Sequence, residues 1–330
     1  MVSMAILSLL AIFLLRAVEG TNGVWRYSTA KAESFRSARD AFEAMTRRLS
    51  QATLNTYWDY EYTGSGASQV PSKYARQSDL RFICGSSQTL AGTSNPPPPT
   101  HAIFFQAPLG DVDDVNFEGM GNLLNTCGYY VEFKSDAGDR PTFLNSVSPA
   151  VTPRYRYRLM EARQAANRFN LYNRTSTLTY TGLEWVKDAI APGAPATAPI
   201  HVLAENVIAL ILLPKLAATE DPTGVKLAPT YEYDSSKTKA DPLINPKNQL
   251  PPLVQVTLVA LDETTANRLA RGATPPDFGL NKLFIVGAPN SAAKYSDDFR
   301  TLIDTLNSRR LTHRVFTTTV PIRGAKWSRD

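Results

Sequence analysis

Cysteine and histidine are scarce in this chain, two and three among 330 residues. Counts so low argue against a zinc framework and against a disulfide-stapled scaffold. An excess of one charge sign is nearly absent as well. Lys and Arg number 35 against 30 Asp and Glu, a net +5, and the longest basic cluster is the dipeptide Arg309-Arg310. Nucleic acid is therefore not an expected partner. Signatures of nucleotide binding and nucleophilic catalysis are missing too: the sequence has no Walker A loop, no dinucleotide-binding glycine motif and no Gly-x-Ser-x-Gly. With no recognisable base, nucleophile or metal cluster, the expectation is a protein that is not an enzyme and carries no cofactor. What is plentiful is core material. Hydrophobic residues make up 43% of the chain and charged residues 20%, which is a globular composition. Twenty-three prolines favour loops and short strands over a helical bundle.

One stretch departs from that composition. Met1 to Leu15 reads MVSMAILSLLAIFLL, with no charge and with Ser3 and Ser8 as its only polar side chains. Fifteen helical residues reach about 22 Å, short of the roughly 30 Å hydrocarbon core of a bilayer. Three readings compete. A cleavable signal peptide needs a basic start and a small-residue cleavage site; no basic start precedes the run, and Arg16-Ala17-Val18-Glu19 is a poor cleavage site. A buried core helix rarely begins so uniformly apolar. The preferred reading is a membrane anchor, with Met4, Ile6, Leu7, Leu10, Phe13 and Leu15 as its apolar surface, that continues into a long helix.

The next segment fits that continuation. Apolar residues fall at Phe35, Ala38, Phe42, Met45, Leu49 and Ala52, steps of three and four in alternation, which is a helical stripe. Phe35, Phe42, Met45 and Leu49 are the expected contacts between helix and sheet. On the other face Asp40 and Glu43 share a side with Arg47, which Glu43 can reach at four residues' distance. Gly20 and Gly23 mark a softened stretch between anchor and stripe. After Thr56 the helical period stops, and short strand patterns follow at 79–84, 102–106, 129–134, 155–160, 168–172, 207–213, 253–261 and 314–320, separated by Gly, Pro and Asn signals. Short helices are expected at 262–271, with Asp262 as N-cap, and at 296–308. The pattern predicts an α+β protein: an anchoring half-helix over 1–22, a helix over about 24–56, and a β-rich region with an antiparallel sheet, 23–330 forming one domain.

An apolar N-terminal segment running into an amphipathic helix ahead of a β-rich region resembles the type IV pilin-like proteins, or pseudopilins. Their short basic leader and Phe-Thr-Leu-x-Glu helix start are absent here, and Met1 to Leu15 looks like the continuation of such a helix. The order of 154–160, VLAENVIALILL at 202–213 and LPPLVQVTLVAL at 250–261 is similar to J-type minor pseudopilins of type II secretion systems. The closing NSRRLTHRVFTTTVPIRGAKW at 307–327 resembles the Verru_Chthon cassette protein C family of prepilin-like proteins. The resemblance implies a pilin-like fold, with the long N-terminal helix packed on the sheet. It also implies a single-pass inner-membrane location with the C-terminal domain in the periplasm, and other pseudopilins or pilins as partners through the N-terminal helix. The implied function is that of a non-catalytic filament component; the alternative is a membrane-anchored exported binding protein or hydrolase.

Three groups of side chains remain to be placed. Asp111, Asp113, Asp114, Asn116 and Glu118 offer hard oxygen ligands at near-alternate positions, a calcium candidate. Val115 and Asn116 break the EF-hand pattern, so a solvated acidic loop competes with it. Cys84 and Cys127 would meet an oxidising compartment after export, where a disulfide could join them; two separate buried thiols are the other reading. Finally, the tyrosines of 57–62 alternate as strand residues do. Buried they are sheet packing; exposed they offer a surface for a sugar or a protein.

Overall fold

The computed structural model describes residues 35–92, 97–138, 140–145, 152–168, 200–238, 244–269 and 272–328. The anchor residues Met4, Ile6, Leu7, Leu10, Phe13 and Leu15 lie outside them. The described chain is mostly β: eleven strands form three antiparallel sheets, accompanied by a few short helices. This corrects the expected α+β, pilin-like fold. No long N-terminal helix packs on a sheet among the described residues. The helix that is there, α1, covers only Arg36–Leu49.

The helix stops for a local reason. Ser50, Gln51 and Ala52 close turns on Thr46, Arg48 and Leu49, and the Thr53 N–H then donates to the Gln106 carbonyl at 2.9 Å. Thr53, Asn55 and Thr56 are weak helix formers, and a strand edge captures them. Ala52 is buried through that turn and not through a further helical one. The charged face of α1 is also rearranged. Asp40 and Glu43 do not pair with Arg47. They sit against Arg36 at 3.9 Å and Arg39 at 2.9 Å, one turn towards the N-terminus, leaving Arg47 and Arg48 at the C-terminal end where the helix dipole favours cations.

After α1 come β1 (Tyr57–Thr63) and β2 (Val70–Gln77), which pair only with each other. The large sheet is built from β3 (Ile83–Ser86), β4 (His101–Pro108), β5 (Leu124–Ser135), β6 (Tyr155–Gln164), β7 (Ile200–Glu205) and β9 (Tyr233–Asp234), in the order β7-β6-β5-β4-β3-β9. The third sheet is β11-β10-β8, made of β8 (Val207–Lys215), β10 (Leu253–Leu261) and β11 (His313–Pro321). Two helices complete the C-terminal part: α2 (Glu263–Leu269), capped by the Asp262 carboxylate on the Thr265 N–H at 2.9 Å, and α3 (Tyr295–Ser308). The strand expected at 168–172 lies largely outside the described residues; β6 pairs with β7 instead.

Alternation within β8 and β10 explains the layering. Val207, Leu210 and Leu212, with Val254, Val256 and Leu258, face the principal core, which they share with the large sheet and α1. Ile208, Ile211, Leu213, Val259 and Leu261 face a second core closed by Leu302 and Leu306 of α3. The continuous apolar run of β8 is therefore covered on both faces. A third, smaller cluster with Phe104, Tyr130 and Met160 covers the far face of the large sheet. There Phe104 lies opposite Gly128 in the ladder, and its ring occupies the space a side chain at Gly128 would need, within 2.3 Å of the Cβ position.

Candidate functional site

The structure disperses most of the side chains that the sequence singles out. In the acidic loop, Asp111 pairs with Arg163 at 2.9 Å, and Asp113 with Arg168 and Asn167. Asp114 accepts from the backbone and side-chain amides of Asn116, each at 2.9 Å, which caps a short 3-10 turn at Val115–Phe117. The carboxylates of Asp111 and Asp113 are thus turned to arginines. Among the described residues no group of three or more His, Cys, Asp or Glu side chains is gathered as a metal site.

Cys84 and Cys127 are both buried and free. Cys84 stands on β3 opposite Ile103, and Cys127 on β5 opposite Phe105, so β4 runs between them. Two strand spacings amount to about 9.5 Å, beyond the roughly 7 Å that a disulfide can bridge. Of the two readings open from the sequence, the structure therefore has the two separate buried thiols. Burial pushes both up, Cys127 to about 12, which keeps them protonated and unreactive.

Phe35, Phe42, Met45 and Leu49 are buried in the principal core. At the end of the same helix, Arg48 donates to the Glu161 carboxylate, which also accepts from the Tyr129 hydroxyl at 2.7 Å. This partly buried ion pair ties α1 to β5 and β6. A second ionic knot joins β6 to α2. Arg156 donates to Glu205 at 2.9 Å, to both oxygens of Glu263 at 2.7 and 2.6 Å, and to Asn267 at 2.7 Å. These bonds hold the Glu263 carboxyl below its ordinary value. Each knot consumes its ionisable groups in holding elements together.

His101 joins the two large layers. Its Nδ1 accepts from the Leu212 N–H at 3.0 Å, while Nε2 lies 2.9 Å from the Phe284 carbonyl. The neutral ring protonated at Nε2 satisfies both, and the Leu212 carbonyl also lies 3.2 Å from Nδ1. Burial lowers its pKa to about 4.

The site left open to solvent is the β1–β2 hairpin. Trp58 lies opposite Arg76, and Tyr60 opposite Tyr74, so all four project from one face, with Tyr62 in line beyond them. Trp58 is 54% exposed, Tyr60 53%, Tyr62 54% and Tyr74 58%. The rings support one another: Trp58 stacks on Tyr74 at 5.7 Å, Tyr60 meets Tyr74 at 5.2 Å, and the Arg76 guanidinium lies 5.6 Å from the Trp58 ring centre. The acids of this hairpin occupy the opposite face. There Glu61 is held by Lys247 at 2.6 Å and Lys73 at 3.3 Å, and the Lys247 bond keeps its carboxyl below the ordinary value. At the base of the aromatic face opens a groove of about 460 Å³, bordered by Trp58, Arg76, Thr53, Thr56, Asn248 and Lys326. Alternating aromatics at 57–62 carry half of this site in the sequence. Tyr74 and Arg76 sit in an unremarkable stretch, VPSKYARQ, and only the pairing register reveals them.

No family model, curated protein or solved structure matches the chain. Among the described residues no helix is long and apolar enough to cross a membrane.

Proposed function

We propose that this chain is a non-catalytic, membrane-anchored subunit of an exported assembly of the type II secretion or type IV pilus kind. In this reading residues 1–15 hold it in the inner membrane, the β-rich part lies in the periplasm, and sibling pseudopilins or pilins are its partners through the N-terminal segment. One observation carries the reading. The first described element after the charge-free run is α1, and its inner face is part of the principal core. A partner that grips the N-terminal segment would therefore have a structured element of the domain next along the chain. The use of His101, Glu161 and Arg156 as internal ties agrees with a structural role.

Leu10→Arg tests it. An Arg near a helix centre costs about 2.5–3.5 kcal/mol on insertion scales, and it interrupts the apolar surface on which neighbouring helices would pack. The variant should leave the membrane fraction on alkaline carbonate washing and lose co-purification with sibling pseudopilins. Replacing residues 1–15 by an unrelated single-span anchor should restore membrane retention but not co-purification. Full complementation of a deletion strain by the swapped chain would refute the filament reading.

A further inference from the structure

We infer that the aromatic face of the β1–β2 hairpin, with the groove at its base, is a binding site for an acidic oligosaccharide, one bearing uronate carboxylates. The inference goes beyond the filament reading and stands on the surface alone. Trp58, Tyr60 and Tyr74 form an exposed cluster with exposed Tyr62 further along β1, and the contacts of Tyr74 with Trp58 and Tyr60 hold those three rings in place before any ligand arrives. Large rigid aromatics exposed together mark an interaction surface, since a lone strand gains nothing by leaving them in water. A pyranose presents one face of C–H groups that packs on such rings and an edge of hydroxyls that needs polar partners. Thr53 and Thr56, which line the groove, bring hydroxyls to that edge.

Charge narrows the ligand. Among the described residues Arg76 and Lys326 border the groove and no carboxylate does, while Asp59 and Glu61 of the same hairpin fall on the other face by strand alternation. Arg76 is already oriented by Trp58 and by its 2.9 Å bond to the Ser328 hydroxyl, and a planar guanidinium fork suits a carboxylate. A single-stranded nucleic acid would also stack on the rings, but it needs a cationic track along its backbone. Two cations on this face, in a chain of net +5, do not make one.

Isothermal titration of the full-length protein with an oligogalacturonate, with an uncharged galactose oligomer of equal length, and with oligo-dT tests the inference. The oligogalacturonate is expected to bind with a Kd of about 1 mM or tighter, and at least about tenfold better than the uncharged oligomer or oligo-dT. Trp58→Ala and Tyr74→Ala should each weaken it by about tenfold or more. Lys326→Gln, which leaves the hairpin intact, should reduce the preference for the charged sugar. Val115→Ala, exposed on the loop before β5, should change nothing, and thermal melts identify any variant that misfolds. Absence of oligogalacturonate binding at about 10 mM, equal binding of the uncharged sugar, tighter binding of oligo-dT, or undiminished binding by a folded Trp58→Ala protein would each overturn it.

Discussion

Lowering the pH should loosen the contact between the two large sheets through His101, and the size of the effect can be worked from the structure. The ring lies between the Leu212 N–H on β8 and the Phe284 carbonyl, against Tyr231 at 4.7 Å. Protonation would leave a charge buried in an apolar surround, a cost that the carbonyls of Leu212 and Phe284 offset only in part. The folded-state pKa is therefore lowered, from 6.5 to about 4. In the unfolded chain the ring takes a proton near 6.5, so between the two values the unfolded state binds more protons. The stabilisation is complete above about pH 6.5, falls as the pH drops towards 4, and changes no further below that. At 1.36 kcal/mol per pH unit the whole loss is about 3 kcal/mol, with about 2 kcal/mol gone by pH 5. That is a large share of a typical stability of about 5–15 kcal/mol. Urea unfolding of wild type and His101→Gln at pH 7.5, 6, 5 and 4.5 measures it. Gln is less stable at pH 7.5 because the Leu212 N–H or the Phe284 carbonyl loses its partner. It should lack the His101 part of the pH slope, so the two curves converge as the pH falls. Parallel curves would refute the argument, as would a folded-state His101 titration near 6.5 by NMR.

The other tests are simpler. Phe42→Ala removes a ring packed 5.8 Å from Phe316 and should cost about 3–5 kcal/mol in denaturant melts; Arg39→Ala, on the exposed face, should cost less than about 1 kcal/mol. Gly128→Ala forces a methyl into the Phe104 ring and should cost about 1–3 kcal/mol, with Phe104→Leu in the same chain recovering part of the loss. Cys84 and Cys127 should resist a thiol reagent in the native protein and both react in guanidinium chloride, with the same thermal midpoint with or without reductant; a single fast-reacting thiol would contradict their burial.

Strands were more legible in the sequence than their arrangement. The apolar run in β8 and the alternation in β10 were strong enough to place both, because a strand covered on both faces or on one face leaves a distinct pattern. Asp262 announced α2 by its cap. The helix stripe was legible in its residues but not in its extent. Ala52 continues the period, yet Thr53 is drawn to Gln106, more than fifty positions away, and local spacing carries no record of such a competitor. The balance of helix and sheet is hidden as well: β2 and β9 carry weak local patterns and are strands only through their pairing with β1 and β3. The choice between a disulfide and two separate thiols turns on register, which the sequence does not show. Cys84 and Cys127 share a core face, but the strand between them is fixed only by the pairing of β3, β4 and β5.

The hairpin shows why a functional surface can escape the same reading. Alternating aromatics are the signature of a strand with one packed face, and in β4 and β5 the aromatics are indeed packed, Phe105 and Tyr129 in the principal core and Phe104 and Tyr130 in the third cluster. In the β1–β2 hairpin both faces meet the rest of the protein through polar groups: Arg76, opposite Trp58, donates to Ser328, and the reverse face carries Glu61. Glu61 reaches Lys247 there, and Asn248 donates to the Arg76 carbonyl at 2.6 Å. Polar bonds attach the hairpin, so its rings are not required by any core. Burial of a large aromatic in a core is worth about 1.5–3 kcal/mol, and this hairpin forgoes part of it at Trp58, Tyr60, Tyr62 and Tyr74. A cost repeated along one face, with the rings braced against each other and the acids kept to the reverse side, is better explained by a ligand than by folding. The fold tolerates it because three cores elsewhere hold the domain, which leaves the hairpin free to serve recognition.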